Sequence, residues 1–330
     1  LPPLDYVDSV GSQVRGLVIK HAEGTGSESL DNILGPVVSA GKMIRSGLIL
    51  DLGTAVGSRP LPSLLSAAAA VELLHIASLI HDDLIDGSDY RRDAPAVHIS
   101  AGEGISILSG DLLLARGMRL AQEAGPAAAS VWQGAFERLT LGQLAESRLS
   151  LSSAETDFLS YISLKTAELF AASCEMGALV LKLSPSTVDQ VRSFGWNFGM
   201  AFQLLDDLLD LLGDEEVLGK PVETDLPNGV YGVAAIRVFT TSGTALEEAL
   251  KANQFSEAYV LLRNPDVVFY CLDLLEGYVA AAANSIEQAL TLDKARPLVS
   301  WTEGYFKAAL KNGVRAEYSH LLSSHWGRGK

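Results

Sequence analysis

Only two cysteines occur in the 330 residues, Cys174 and Cys271, far apart and outside any C-x-x-C pattern. So few thiols exclude a disulfide scaffold and a zinc cage, and they suit a reducing compartment. Positive charge is scarce as well: 25 Lys and Arg stand against 40 Asp and Glu, for a net charge of −15. That balance argues against nucleic acid as a partner and against adhesion to anionic lipid. No uncharged stretch reaches the roughly 18 residues of a transmembrane helix, and the opening residues do not read as a signal peptide. Apolar and polar residues nowhere alternate long enough to suggest a sheet. No low-complexity linker divides the chain. The expectation is one all-α domain over residues 1–330, cytoplasmic and without an integral membrane segment.

What is present is apolar and helical. The chain is 48% hydrophobic, ample for a large core. A helix is expected over Tyr6–His21, then a helical pattern from Ser29 through Gly41-Lys42-Met43-Ile44-Arg45 toward Leu52. On such a helix Lys42 and Arg45, three apart, share a face. Pro62 opens a long helix over about Ser63–Asp86, and a loop at 87–97 carries Arg91 and Arg92. Further helices are expected near 104–123, 127–150, 154–182 and 186–212. A Gly-, Pro- and acid-rich loop, Gly213–Gly229, follows. The remainder reads as helices near 230–240, 244–252, 265–292 and 297–323.

Two of these helices carry the chemistry. Asp82, Asp83 and Asp86 have i, i+1, i+4 spacing, and Asp206, Asp207 and Asp210 repeat it. At 3.6 residues per turn the first and last members of each triplet point the same way. Two oxygen-only clusters in one enclosed core need cations between them, and such ligands favour Mg²⁺ over zinc or copper. The second triplet also crowds a helix C-terminus with Asp214, Glu215 and Glu216, against the macrodipole. A bound divalent cation resolves that conflict; a solvated acidic helix end is the plainer alternative.

In this order the motifs resemble those of the trans-prenyl diphosphate synthases, all-α enzymes that extend allylic diphosphates with isopentenyl diphosphate. The resemblance rests on Gly41-Lys42-x-x-Arg45, His75, Asp82-Asp83-x-x-Asp86 with Arg91-Arg92, Gly142-Gln143 and Lys165-Thr166. Phe202-Gln203-x-x-Asp206-Asp207-x-x-Asp210 and Gly219-Lys220-Pro221 complete it. It implies a helical bundle around a central cavity, and it implies roles. Asp82, Asp86 and Asp206 hold Mg²⁺ against the allylic diphosphate, supported by Asp83, Asp207 and Asp210. Arg91, Lys165 and Lys220 add positive charge there. Lys42, Arg45, His75 and Arg92 resemble the isopentenyl diphosphate pocket, while Thr166 and Gln203 turn oxygens toward an allylic cation. The resemblance also implies a homodimer.

Some positions depart from the family pattern. Met43 stands in place of Arg, Ser46 in place of Pro, Asp93 and Glu223 in place of glycines, and Val230 in place of a second loop lysine. The loop after the second triplet is therefore expected to hold substrate more weakly. Small residues precede the first triplet, Ala77 and Ser78 one turn before it. Leu74, Leu73 and Ala70 lie deeper, with Ala67–Ala69 beyond. They suggest a tunnel for a geranylgeranyl or longer product, or simply close helix packing. Two other functions stay open: a terpene cyclase on the same scaffold, which needs no isopentenyl diphosphate pocket, and a modulating subunit of a heteromeric synthase.

Overall fold

The computed structural model describes residues 7–39, 41–59, 61–91 and 94–327. Among them are sixteen α-helices: α1 (Val7–Ala22), α2 (Glu28–Ser39), α3 (Ile44–Ala55), α4 (Pro62–Ile85), α5 (Val97–Ala101), α6 (Glu103–Ala124), α7 (Pro126–Glu146) and α8 (Glu155–Ile162). There follow α9 (Glu168–Val180), α10 (Pro185–Leu212), α11 (Glu215–Leu218), α12 (Val233–Lys251), α13 (Phe255–Leu262), α14 (Pro265–Ala289), α15 (Leu292–Gly313) and α16 (Ser319–Gly327). The fold is all-α, as the patterning predicts. A two-residue antiparallel ladder, Tyr90–Arg91 with Ala94–Pro95, tightens the loop after α4.

Local chemistry sets many of the boundaries. Prolines stand at the first turn of α4, α7, α10 and α14, where the missing N–H is no loss. The Ser184 side chain caps α10 by accepting from Thr187 N, and Asn264 caps α14 by accepting from Asp266 N. At the end of α1 the Arg116 guanidinium donates to the carbonyls of His21, Ala22 and Glu23 at 2.7–3.1 Å.

The expected helix from Ser29 to Leu52 is instead two. Gly41 has φ 132 and Met43 φ 50, so the chain turns before Ile44. Lys42 thus lies on the turn, exposed, and does not share a helical face with Arg45. The two helices expected near 230–240 and 244–252 are instead the single helix α12, running through Gly243. Conversely, the expected helix at 297–323 begins earlier, at Leu292, and breaks after Gly313 into a short 3₁₀ turn and α16.

Helices α4 and α10 form the spine. Ala67–Ala70, Leu73, Leu74 and Ala77 of α4 are fully buried. By length and composition α4 alone among the described residues could cross a membrane, but 72% of its most apolar window is buried within the protein. Its one acid before the triplet, Glu72, accepts from Ser46 N at 2.9 Å and ties α3 to it. One core cluster gathers around α10, α14 and α15 and another around α1, α4, α6 and α7, with α3 and α9 contributing to both. An aromatic column of Phe170, Phe198, Phe202, Trp301, Tyr305 and Phe306 joins α9, α10 and α15, with ring centroids 5.1–6.5 Å apart.

Between α8 and α9 the chain makes a π-helical turn, Ser163–Ala167, within what reads from sequence as one regular helix. Glycines on its neighbours make room for this stretch. A Cβ on Gly142 of α7 would lie 2.6 Å from Lys165 N, and one on Gly199 of α10 would lie 2.5 Å from Ala167 Cα; one turn earlier, against α9, a Cβ on Gly195 would lie 2.5 Å from Phe170 O.

This packing predicts a contrast between two Gly→Ala variants. Gly195→Ala forces backbone apart and is expected to destabilise by about 1–3 kcal/mol. Gly16→Ala, in α1 with nothing within 4 Å of the added Cβ, is expected to stabilise by about 0.4–1 kcal/mol. Urea unfolding midpoints of the two variants check both signs.

Candidate active site

The C-terminal ends of α4 and α10 bring the two triplets to the same end of the bundle. Their proximity is read in Tyr161: burial raises its phenol well above the ordinary value, and Glu146, Asp207 and Asp82 all raise it further. One ring therefore feels a carboxylate from each triplet. Around it the chain places Glu146 from the end of α7 and Lys165 and Thr166 from the π turn.

Within the first triplet the three acids differ. Asp83 is 3% exposed and held by Arg91, whose Nε lies 2.7 and 2.8 Å from its two oxygens and whose Nη2 lies 2.6 Å away. Asp82 is pushed up to about 6, mainly by burial; Lys165 opposes the shift, and Asp86 and Glu146 add to it. Asp86, at the C-cap, is exposed yet also raised, again by burial first, with Lys165 opposing. Arg92 lies outside the described residues.

The second triplet divides in a similar way. Asp206 is exposed and accepts from Lys220 Nζ at 2.6 Å. Burial alone would lower Lys220, but the Asp206 carboxylate outweighs it and the ammonium is raised. Asp207 is pushed up to about 7 by burial, relieved in part by the Gln203 amide and worsened by Asp206 and Asp210. Its Oδ2 is buried with no hydrogen-bond partner. Asp210, 7% exposed, turns away toward the following loop. It accepts from Thr224 N and Oγ1 at 3.0 Å each, and from the Asp225 N–H and the Tyr259 hydroxyl at 3.4 Å. Its carboxylate thus holds the loop.

Polar chains link the two sides. Thr166 Oγ1 donates to Gln203 Oε1 at 2.8 Å, and Gln203 Nε2 donates to Asp207 Oδ1 at 3.0 Å. Glu146 accepts from both Lys165 and Tyr161. Arg45 lies 3.1 Å from His75 Nε2; a guanidinium can only donate, so this nitrogen accepts. The same guanidinium sits 4.3 Å over the Phe170 ring, a cation–π contact. Tyr305 spans this region and the second triplet. It is raised to about 12, by burial first, with Asp206 adding and Arg45 opposing.

Four participants were absent from the motif reading: Glu146, Tyr161, Asp225 and Tyr305. The first two had a detectable signal. Glu146 lies three residues after Gln143, and Tyr161 four before Lys165, spacings that share a helical face. Asp225 is pushed up to about 8 by burial and by Asp207, Asp210 and Asp206. It reaches the site through a loop, and Tyr305 through a helix remote in sequence; neither carries a local cue.

The donor chemistry fits a hard divalent cation. Carboxylates raised by burial, and an orphaned oxygen on Asp207, mark negative charge without enough counter-charge. Among the described residues no three acid, His or Cys side chains form a metal cage by themselves. A hard cation such as Mg²⁺ needs no such cage, since one or two carboxylates, waters and substrate phosphates commonly hold it. A cavity of about 30 Å³ behind Asp207, bounded by Asp210, Asp225 and Tyr259, has room for little more than a water. A cleft of about 610 Å³, lined by Val56, Leu61, Lys182, Thr187 and Lys294, lies where α4 and α10 begin and shares no residue with this site.

Comparison with known proteins agrees over most of the chain. The family model described as polyprenyl synthetase matches residues 27–261. A geranylgeranyl diphosphate synthase of Sulfolobus acidocaldarius is 30% identical over 305 residues, covering 86% of this chain and 91% of that protein. Heptaprenyl diphosphate synthase component 2 of Geobacillus stearothermophilus is 36% identical over 270 residues, covering 79% and 83%. The crystal structure of a polyprenyl synthase from Caulobacter crescentus, complexed with calcium and isoprenyl diphosphate, superposes with a TM-score of 0.84 at 27% identity. It covers 91% of this chain and 95% of that one.

The raised acids predict the pH dependence of the ligand-free protein. Asp82 at about 6, Asp51 and Asp207 at about 7 and Asp225 at about 8 each bind protons more tightly folded than unfolded. Unfolding then releases protons, so stability falls as pH rises from about 4 to about 8. Asp207→Asn is expected to flatten that decline, measured as thermal midpoint against pH.

Proposed function

Because the chain belongs to the polyprenyl synthetase family, we propose that it is a trans-prenyltransferase that condenses isopentenyl diphosphate with an allylic diphosphate. The observation that carries this reading is the pair of acid triplets meeting around Tyr161, Glu146 and Lys165, with cations held on their carboxylates. Two diphosphates repel one another, and only positive charge on both sides permits their encounter.

Asp82, Asp86 and Asp206 would hold Mg²⁺, with Asp207 and Asp83 behind them, and the chemistry it would supply there is withdrawal of charge from the departing diphosphate. The chain's own residues do the rest. Lys165, Lys220 and Arg91 turn from Glu146, Asp206 and Asp83 to the allylic diphosphate. Arg45 and His75, with Lys42 and Arg92, receive isopentenyl diphosphate. Thr166 and Gln203 present oxygens to the allylic cation left when the C–O bond breaks. The homoallylic double bond attacks that cation, and the proton then lost goes to the released diphosphate. No covalent bond to the protein forms.

The buried small residues of α4 support a long tail site ending near Ala70. There Trp132 of α7 donates its indole N–H to Ala70 O at 2.9 Å, and a Cβ added at Gly117 of α6 would lie 3.0 Å from the indole. Part of the space that the small residues leave is thus filled by helix packing. Ala70 lies twelve residues before Asp82, about 18 Å along the helix. Four main-chain bonds of about 1.5 Å, each advancing roughly 1.2 Å along the axis of an extended zigzag, carry an isoprene unit about 5 Å, so that depth holds nearly four units, as in a geranylgeranyl tail. The product is therefore geranylgeranyl diphosphate or a longer homologue.

The protein works as a cytoplasmic homodimer of single-domain chains. The outward side of α6 and α7 supports the assembly, exposing Leu108 at 63%, Leu141 at 48% and Leu144 at 55% beside Ile105 and Phe136. A second reading, a subunit of a heteromeric synthase, is favoured by the likeness to the component 2 protein. Both triplets being present points to a catalytic subunit in that case.

Incubation with Mg²⁺, farnesyl diphosphate and labelled isopentenyl diphosphate tests the reading. Label is expected in a longer prenyl diphosphate. Unlabelled hydrocarbon from the allylic substrate alone would establish a cyclase instead, and activity only after a partner is added would establish the heteromer. Asp82→Ala or Asp206→Ala is expected to lower turnover by roughly 10²–10⁴-fold with the fold intact. In the same assay Ala77→Phe shortens the product and Trp132→Ala lengthens it. An unchanged product length in both variants removes the tail assignment.

A further inference from the structure

The loop between α10 and α12 carries Lys220, and the sequence supplies no second lysine to hold it over the site. Its anchoring comes from elsewhere. Glu223 has φ 59, a left-handed backbone that penalises any residue with a Cβ and persists only where its surroundings enforce it. Here the enforcement is visible. Arg263 Nη2 and Arg315 Nη2 both donate to Glu223 Oε1, the latter at 2.7 Å. Hydrogen bonds to the two guanidiniums, outweighing burial, hold the Glu223 carboxyl below its ordinary range.

Each arginine is in turn fixed to the end of α10. Arg263 Nε and Nη2 donate to Leu211 O at 3.0 and 2.9 Å. The Arg315 backbone N–H donates to Leu212 O at 3.0 Å. Both guanidiniums lie about 5 Å from the Tyr318 ring, within cation–π range. The Glu223 amide closes the arrangement by donating to Asp210 O at 3.0 Å. Glu223 is therefore clamped to the helix that carries the second triplet. Three residues earlier in the loop, Lys220 reaches Asp206.

We propose that Glu223 is a positioning residue for Lys220. Clamped by Arg263 and Arg315, it orders the loop in advance, so that the Lys220 ammonium stands at the site before substrate arrives. The proposal rests on the reading of Lys220 as a ligand of the allylic diphosphate. A loop that is already ordered need not lose its freedom on binding. Removing the clamp therefore weakens capture of the allylic diphosphate more than it slows the chemical step.

Glu223→Gly is the informative variant, because glycine adopts φ 59 without strain while the carboxylate disappears. In the ligand-free full chain, hydrogen exchange of amides 220–226 is expected to quicken several-fold. The KM for the allylic diphosphate is expected to rise about tenfold, with kcat and the KM for isopentenyl diphosphate near their original values. Arg315→Ala should reproduce the change, and the double variant should be no worse than either single one. If Glu223→Gly does not fold, Glu223→Gln, which keeps shape and removes charge, should give a smaller shift in the same direction. Unchanged loop exchange overturns the clamp whatever the activity. A fall in kcat with KM unchanged overturns the positioning role. Faster exchange in a chain that transfers no prenyl group keeps the clamp and removes the function proposed above.

Discussion

Mutual repulsion among carboxylates at the ends of two helices is the constraint around which this molecule is arranged. Two like charges 4 Å apart cost about 4 kcal/mol at an effective dielectric of 20, and here they gather where helix dipoles already disfavour them. Three devices relieve the crowding. Burial keeps protons on Asp82, Asp207 and Asp225 into the neutral range. Cations sit on Asp83 and Asp206, and on Glu146 nearby. Backbone amides and a guanidinium occupy the remaining acceptors, as Thr224 and Asp225 do for Asp210 and Arg263 does for the α10 carbonyl terminus.

Of these devices, the ion pairs have the clearest link to function. A half-exposed pair such as Lys220–Asp206 contributes little net stability. Exchange of its carboxylate for a phosphate oxygen is therefore nearly free of penalty. The same holds less fully for Arg91, whose partner Asp83 is buried and would be left unpaired. Lys220 is thus the more readily exchanged of the two, and Arg91 turns to the diphosphate at the greater cost.

The scaffold serves this arrangement by bringing backbones unusually close. A π turn places Lys165 beside Glu146 and the first triplet and Thr166 against Gln203 beside the second, and glycines on α7 and α10 allow helix to meet helix where any side chain would collide. Below the acids, the aromatic column from Phe170 to Phe306 fills the volume between α9, α10 and α15. It also seats the Arg45 guanidinium on a ring face.

Much was legible in the linear chain. Helical periodicity, prolines at first turns and the absence of alternation determined the all-α class. The repeated i, i+1, i+4 aspartates and the ordered basic motifs picked out Asp82, Asp206, Lys165, Thr166 and Gln203, all of which meet at one end of the bundle. These features are local, because spacing on one helix already states which side chains share a face. Tertiary structure decided what depends on contacts between segments distant in sequence. It turned Lys42 out of a helix through the backbone at Gly41 and Met43, gave Asp210 to the following loop, and placed Trp132 against Ala70. It also paired Glu223 with arginines 40 and 92 residues away. Partner choice across such separations is set by how helices pack in three dimensions, and no periodicity along the chain encodes it.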